Sequence, residues 1–156
     1  MRLEYFLLVD RVLDLAARAI SCEATVPTES TIFEGHFPGF PLMPGVLLIE
    51  TMAQTSGWLL VAINKFERMP FLASVREAKL RTFVRPGQRL TVEAKVTHDG
   101  SGFAMTEAGI SCDGRLVCNA TLTFRLVPFP TPEFAAEMRK RAEAVGLLTD
   151  EARADG

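Results

Sequence analysis

Between Val46 and Ile63 the chain runs for eighteen residues with a single ionisable side chain, Glu50. A stretch this long and apolar belongs either in a bilayer or in the middle of a protein core. Thr51, Gln54, Thr55 and Ser56 lie inside it beside Glu50, and an ionisable group at bilayer depth is costly. The stretch is therefore predicted as a helix buried in protein, and no membrane insertion is expected. Pro41, Pro44 and Gly45 punctuate the chain just before it, and a proline is well tolerated at a helix start, where its missing N–H costs nothing. The helix should run from Val46 to about Lys65, a length of about 28 Å at 1.5 Å per residue. Its apolar residues occupy almost every side, which predicts burial all round.

Such a helix needs cover, and the flanking segments are strand-like. "YFLLVDRVLDL" and "AISCEATVP" precede it, and "FLASVREAKLRTFV", "RLTVEAKVTH", "FAMTEAGISC" and "RLVCNATLTFRLV" follow. Asp99-Gly100 and Asp113-Gly114 separate the last three runs, and an Asp-Gly pair between alternating runs is a strong hairpin signal. The expected architecture is α+β, with an antiparallel meander curved around one long helix. "TPEFAAEMRKRAEAVGLL" then offers Thr131 as N-cap, Pro132 at N1 and an apolar stripe at Phe134, Met138 and Val145. The expected division is a domain at 1–130 and a helical extension at 131–156, frayed over "TDEARADG".

Composition narrows the classes. The 156 residues suffice for one domain with a proper core, and the 48% hydrophobic and 23% charged fractions are those of an ordinary globular domain. A net charge of −2 gives no basic field for nucleic acid or a membrane surface. Cys22, Cys112 and Cys118 are odd in number and lack metal-ligand spacing, so they read as reduced, buried thiols of a cytoplasmic protein. "MRLEYFLLVDRV" carries Glu4 and Asp10 around its apolar residues and does not read as a secretory signal.

The chemistry concentrates in "FEGHFPGFPLMPGVLLIETMAQ". His36 lies in a stiff Gly/Pro loop, and an imidazole titrates near neutral pH, which suits a general base. Glu50 is flanked by Leu47, Leu48, Ile49, Met52 and Ala53. A buried carboxyl tends to hold its proton, which suits a general acid. Gln54 stands one helical turn on and within reach of Glu50. The N–H groups at Gly45 and Val46 have no intrahelical acceptors and sit at the positive end of the helix dipole, so they can hold a developing oxyanion. Base, acid and oxyanion donors together fit removal of a proton α to a carbonyl with loss of a β-substituent. No metal cluster, phosphate loop or activated Ser or Cys competes, and no cofactor is implied.

"GHFPGFPLMPGVLLIETMAQ" closely resembles the signature of the 3-hydroxyacyl-[acyl-carrier-protein] dehydratases of type II fatty acid synthesis. "FLLVDRVLDL" resembles the family's first strand and "ATLTF" its last, so the likeness spans roughly residues 5–127. The resemblance implies the hotdog fold, a long helix wrapped by an antiparallel sheet. It makes His36 and Glu50 the catalytic pair, Gly45 the thioester-carbonyl donor and Gln54 the support of the acid. It also implies a composite site, with His36 from one subunit and Glu50 from its dimer mate, in a homodimer or a hexamer of three dimers. The implied reaction yields trans-2-enoyl-[acyl-carrier-protein] for fatty acid or lipid A acyl-chain synthesis. Glu rather than Asp at position 50 favours dehydration without isomerisation. The chain departs from the family in its short "MRLE" opening, in "ASVREAKLR" and in the C-terminal helix.

The implied partner is an acidic acyl carrier protein. Arg76, Lys79, Arg81, Arg85 and Arg89 face it with one nearby acid, Glu77. On a strand, Lys79, Arg81 and Arg85 would share one face as a docking patch. His98 reads as an exposed hairpin residue. Two other functions stay open: another hotdog thioester enzyme, namely a thioesterase or an enoyl-CoA hydratase, and a non-catalytic acyl-chain-binding subunit. The "GHFPG…PGV…E" run argues against the first, and retention of both His36 and Glu50 against the second.

Overall fold

The computed structural model describes residues 1–147. The expected fraying over "TDEARADG" lies outside the described residues. A short 3-10 turn, Leu3–Tyr5, opens the chain, followed by strands β1 (Arg11–Leu15) and β2 (Ala19–Thr25). Helices α1 (Thr31–Gly35) and α2 (Gly45–Ile63) come next. Strands β3 (Arg68–Leu80), β4 (Arg89–Gly100), β5 (Phe103–Cys112) and β6 (Arg115–Pro128) lead to helix α3 (Pro132–Ala144). The six strands form one antiparallel sheet in the order β1-β2-β4-β5-β6-β3. The first strand is shorter than "YFLLVDRVLDL" suggests, because Phe6 turns left-handed (φ 54°) and the segment before Arg11 is diverted towards α2.

The sheet departs from a simple meander. β4, β5 and β6 follow one another, but β3 lies at the far edge beside β6 rather than next to β4. Residues 81–88 make that crossing. They are pinned where the Met43 N–H donates to the Val84 carbonyl (2.7 Å) and the Val26 N–H to that of Gln88 (2.9 Å), with Val84 buried. Asp113-Gly114 forms the expected turn, with φ of 51° and 77°. The other hairpin turns at Ser101-Gly102 (φ 58° and 81°), and Asp99-Gly100 pairs with Ala104 and Phe103 inside the ladder. Both pairs satisfy the positive φ values of a two-residue turn, and the bulge between Val96 and His98 shifts the register that selects between them. His98 is exposed and stacks on Phe103.

Leu48, Met52, Leu59 and Leu60 of α2 share one core cluster with Ile110, Leu122 and Phe124 of the sheet, all nearly inaccessible. The polar residues that α2 buries are mostly satisfied there. Thr51 Oγ1 donates to the Leu47 carbonyl (2.7 Å), and Ser56 Oγ meets Thr106 Oγ1 of β5 at 2.8 Å. Burial all round does not hold, however. Val46 is 72% exposed, and Ile49, Glu50, Gln54 and Gly57 are half-buried. The reason is geometric: one six-stranded sheet covers one side of a helix, and among the described residues the opposite stripe is flanked by the N-terminal segment, the start of β3 and α3, with a cavity between them.

α3 begins as the sequence predicts, with Thr131 Oγ1 accepting from the Phe134 N–H (3.0 Å) and Pro132 in the first turn. It ends where the Leu147 N–H returns to the Ala142 carbonyl (2.9 Å) through Gly146 (φ 81°), a Schellman closure. Ala142 and Leu147 are buried, and the Val12 N–H donates to the Val145 carbonyl (2.8 Å), which anchors this end to β1. All three cysteines are free. Burial pushes the thiols of Cys22 and Cys118 up to about 12 and about 11. Cys112 is only half-buried, against expectation, because it lies near the end of β5 beside the turn.

Candidate active site

His36 is the residue after α1, whose start is capped by Ser30 Oγ accepting from the Ile32 N–H (3.2 Å). The loop's stiffness has a definite source. Phe37 and Phe40 exchange backbone hydrogen bonds (2.9 and 2.8 Å) around Gly39 (φ 72°), and the Leu42 N–H donates to the His36 carbonyl (3.0 Å). The imidazole is half-buried and stacks on Phe37, ring centroids 4.0 Å apart.

α2 starts at Gly45. The N–H groups of Leu47 and Leu48 both donate to the Pro44 carbonyl (3.0 and 3.2 Å), so those of Gly45 and Val46 lie outside the helical ladder. A Cβ on Gly45 would come within 2.4 Å of Leu80 Cδ1, so only glycine fits without moving Leu80.

Glu50 lies five residues further, about 7.5 Å along the axis. It is half-buried rather than buried, because it belongs to the stripe that the sheet leaves uncovered. Gln54 Nε2 donates to Glu50 Oε1 at 3.2 Å, the contact expected of this pair. The rest of the Gln54 network was not legible in the sequence. Its Nε2 also donates to the Phe6 carbonyl (2.7 Å), and its Oε1 accepts from the Leu8 N–H (3.1 Å). The amide thus ties the N-terminal segment to α2 across more than forty residues, a pairing with no local signal.

A cavity of about 760 Å³ opens beside Glu50 and Gln54, between α2, the N-terminal segment, the start of β3, and α3. Much of its wall is apolar and includes Phe6, Trp58, Phe71, Phe124, Phe134 and Met138. Its size is in the range of small-molecule sites. His36, Gly45 and Val46 do not line it. One chain thus brings Glu50, Gln54 and an apolar chamber together, places Gly45 and Val46 one to two turns upstream, and leaves His36 outside the chamber's wall. Phe134 and Met138 were legible as a stripe, but nothing in the sequence told where that stripe docks.

The basic residues do not form the expected strand face. β3 ends at Leu80, before Arg81 and Arg85, and a bulge with Glu77 at φ 50° interrupts it just before Lys79. Arg81 is engaged locally, its Nε and guanidinium nitrogen donating to Asn119 Oδ1 (3.1 and 2.9 Å). The Arg85 guanidinium lies 5.9 Å from the Phe40 ring, beside the His36 loop. Among the described residues no group of three or more His, Cys, Asp or Glu is placed to hold a metal ion.

Residues 2–121 match the family model described as the FabA-like domain. The chain is 40% identical over 124 residues to the 3-hydroxyacyl-[acyl-carrier-protein] dehydratase FabZ of Lactococcus lactis subsp. cremoris, covering 78% of this chain and 85% of that one. Among solved structures, the dehydratase heterocomplex ApeI:P of Xenorhabdus doucetiae aligns with a TM-score of 0.63 at 20% identity, over 86% of this chain and 90% of that one. A hypothetical thioesterase with coenzyme A from Streptococcus pneumoniae aligns at 0.61 and 15% identity, over 76% and 88%. At such identities these two structures speak for the fold alone, which is the hotdog expected from the resemblance. The family model and the 40% identity speak for more: this chain belongs to the 3-hydroxyacyl-[acyl-carrier-protein] dehydratase family.

Proposed function

We propose that this chain is a cytoplasmic dehydratase that removes water from 3-hydroxyacyl-[acyl-carrier-protein], giving trans-2-enoyl-[acyl-carrier-protein], in fatty acid or lipid A acyl-chain synthesis. The observation that carries this reading is the Gln54–Glu50 pair at an apolar cavity, on the same helix that starts at Gly45. His36 takes the α-proton, and the electron pair of that C–H bond moves towards the thioester carbonyl. The N–H groups of Gly45 and Val46 stabilise the oxyanion. The electrons then return to form the α–β double bond, the β-carbon–oxygen bond breaks, and Glu50 gives its proton to the departing hydroxyl, which leaves as water. Gln54 orients the carboxyl. The hotdog domain that does this occupies residues 1–130, and residues 131–156 extend it.

In this reading His36 and Glu50 of one site come from two subunits of a homodimer, which is the smallest active unit, either alone or as one of three dimers in a hexamer. Two observations support it. His36 lies outside the wall of the cavity that holds Glu50. Large apolar side chains are also exposed on the His36 loop, the α2 start, the end of β3 and the crossing after it: Phe37, Phe40, Val46, Leu80 and Phe83. Such a concentration marks an interaction surface. Lys79, Arg81 and Arg85 stay proposed as carrier contacts, now with Lys79 at the end of β3 and Arg81 and Arg85 on the crossing after it rather than on one strand face. Incubation with a carrier-linked 3-hydroxyacyl substrate tests the reaction: ultraviolet absorbance of the conjugated enoyl thioester should appear. Release of the carrier's free thiol in its place would make the chain a thioesterase, and binding without turnover would make it an acyl-chain binder.

A further inference from the structure

Helix α3 lies beyond residues 2–121, the part matched by the family model, yet it forms one side of the cavity that holds Glu50. On the opposite side Glu50, Gln54, Trp58 and Val61 line the cavity from α2. Their spacing of four, four and three residues makes one stripe about 16 Å long, leading away from the carboxyl. Phe134 and Met138 line it from α3, one turn apart. The helix is anchored at its other end by Ala142, Leu147 and the Val12–Val145 hydrogen bond, while Met138 touches the edge of the core and Phe134 lies 6.1 Å from the Phe129 ring, so each combines a packing contact with a place on the cavity wall. Phe134 stays 36% exposed and Met138 half-buried. The nearby charges Glu137 and Arg141 pair with each other at 3.3 Å.

We infer that α3 is the wall that closes the acyl-chain pocket, and that Phe134 and Met138 set the length of chain it accepts. The ligand is the hydrocarbon part of the 3-hydroxyacyl group beyond its β-carbon, lying along α2 from Glu50 towards Trp58. The inference rests on the dehydratase reading above for where the thioester sits. It adds that a helix outside the family's matched region determines specificity.

Trp58 is the only tryptophan in the chain and lines this cavity. Unreactive 3-hydroxyacyl amides of pantetheine, brominated at the chain tip, should quench its fluorescence once the chain is long enough to run about 12 Å past Glu50. Shorter ones should not. Phe134→Ala with Met138→Ala enlarges the pocket, whereas Ala144→Phe narrows it from a lining position that is exposed. Across a graded series of carrier-linked substrates, the first should move the optimum of kcat/KM to longer chains and the second to shorter ones. The shift should be about tenfold or more at the lengths where an apolar pocket discriminates by a methylene. Misfolding cannot produce shifts of opposite sign. Profiles that coincide with wild type, or no quenching at any length, would overturn the inference while leaving the dehydratase reading intact. Length-dependent quenching in a protein that turns over no substrate would do the reverse.

Discussion

Gln54 serves Glu50 and the N-terminal segment with one amide, so its removal should show in two measurements. Gln54→Leu leaves the Phe6 carbonyl and the Leu8 N–H without their partner, which should cost about 1–3 kcal/mol in denaturant unfolding. It should also lower turnover, because the Glu50 carboxyl loses its orientation. His36→Ala should keep the melting temperature and lose ~10²–10⁴-fold in turnover, the usual worth of a general base. Near-normal rates would remove His36 from the mechanism. Glu4 makes a prediction about pH. Its carboxylate accepts from Ser30 Oγ (2.6 Å), from the Thr31 N–H (2.8 Å) and from Thr31 Oγ1 (2.9 Å), and these bonds, that of Ser30 foremost, hold its pKa at about 2 against an ordinary 4.5. A carboxyl depressed in the folded state stabilises it above the unfolded pKa and loses that contribution as pH falls through the folded one. Stability should therefore decline between about pH 4.5 and 2, and Glu4→Gln should flatten that part of the profile.

The placement of α2 depends on contacts that its own sequence does not contain. Ser56 and Thr106 satisfy each other between α2 and β5 in a fully buried setting. Ser56→Ala should cost about 1–3 kcal/mol by orphaning the Thr106 hydroxyl. Adding Thr106→Val should recover part of that loss, a coupling that a double-mutant cycle on urea midpoints will read. At the helix start, Gly45→Ala forces Leu80 aside, since the new Cβ would sit 2.4 Å from Leu80 Cδ1. Leu80 is half-exposed and able to swing, so the expected cost is only about 1 kcal/mol, and Leu80→Ala should cancel it. The helix itself was legible because an uninterrupted apolar run has few destinations. Its uncovered stripe was not, because an apolar run carries no record of which side the sheet will take.

The assembly is tested by mixing. Glu50→Gln keeps the shape of the side chain, removes its proton and should lose ~10²-fold or more in turnover. If the site is shared, exchange of inactive His36→Ala subunits with inactive Glu50→Gln subunits restores one intact site in about half the dimers. That is roughly a quarter of wild-type sites if subunits assort freely. No recovery despite exchange proven by mass spectrometry would place both residues of a site in one subunit. Light scattering that found an active monomer would do the same.

The signals that survived from chain to fold were local ones: the apolar run of α2, the Asp113-Gly114 turn, the Thr131-Pro132 start of α3 and the one-turn spacing of Glu50 and Gln54. Each depends on residues a few positions apart, where backbone preference and helical period act directly. Tertiary structure decided the rest. It carried β3 past three strands to pair with β6, moved a hairpin turn by two residues through a bulge, and left Glu50 half-exposed. It also brought Phe6, Leu8 and α3 to the cavity beside that carboxyl. Those outcomes depend on which apolar face meets which across the sheet, and most of the packing that settles them joins residues far apart in the chain, from Leu8 with Gln54 to Val12 with Val145, beyond the reach of any periodicity.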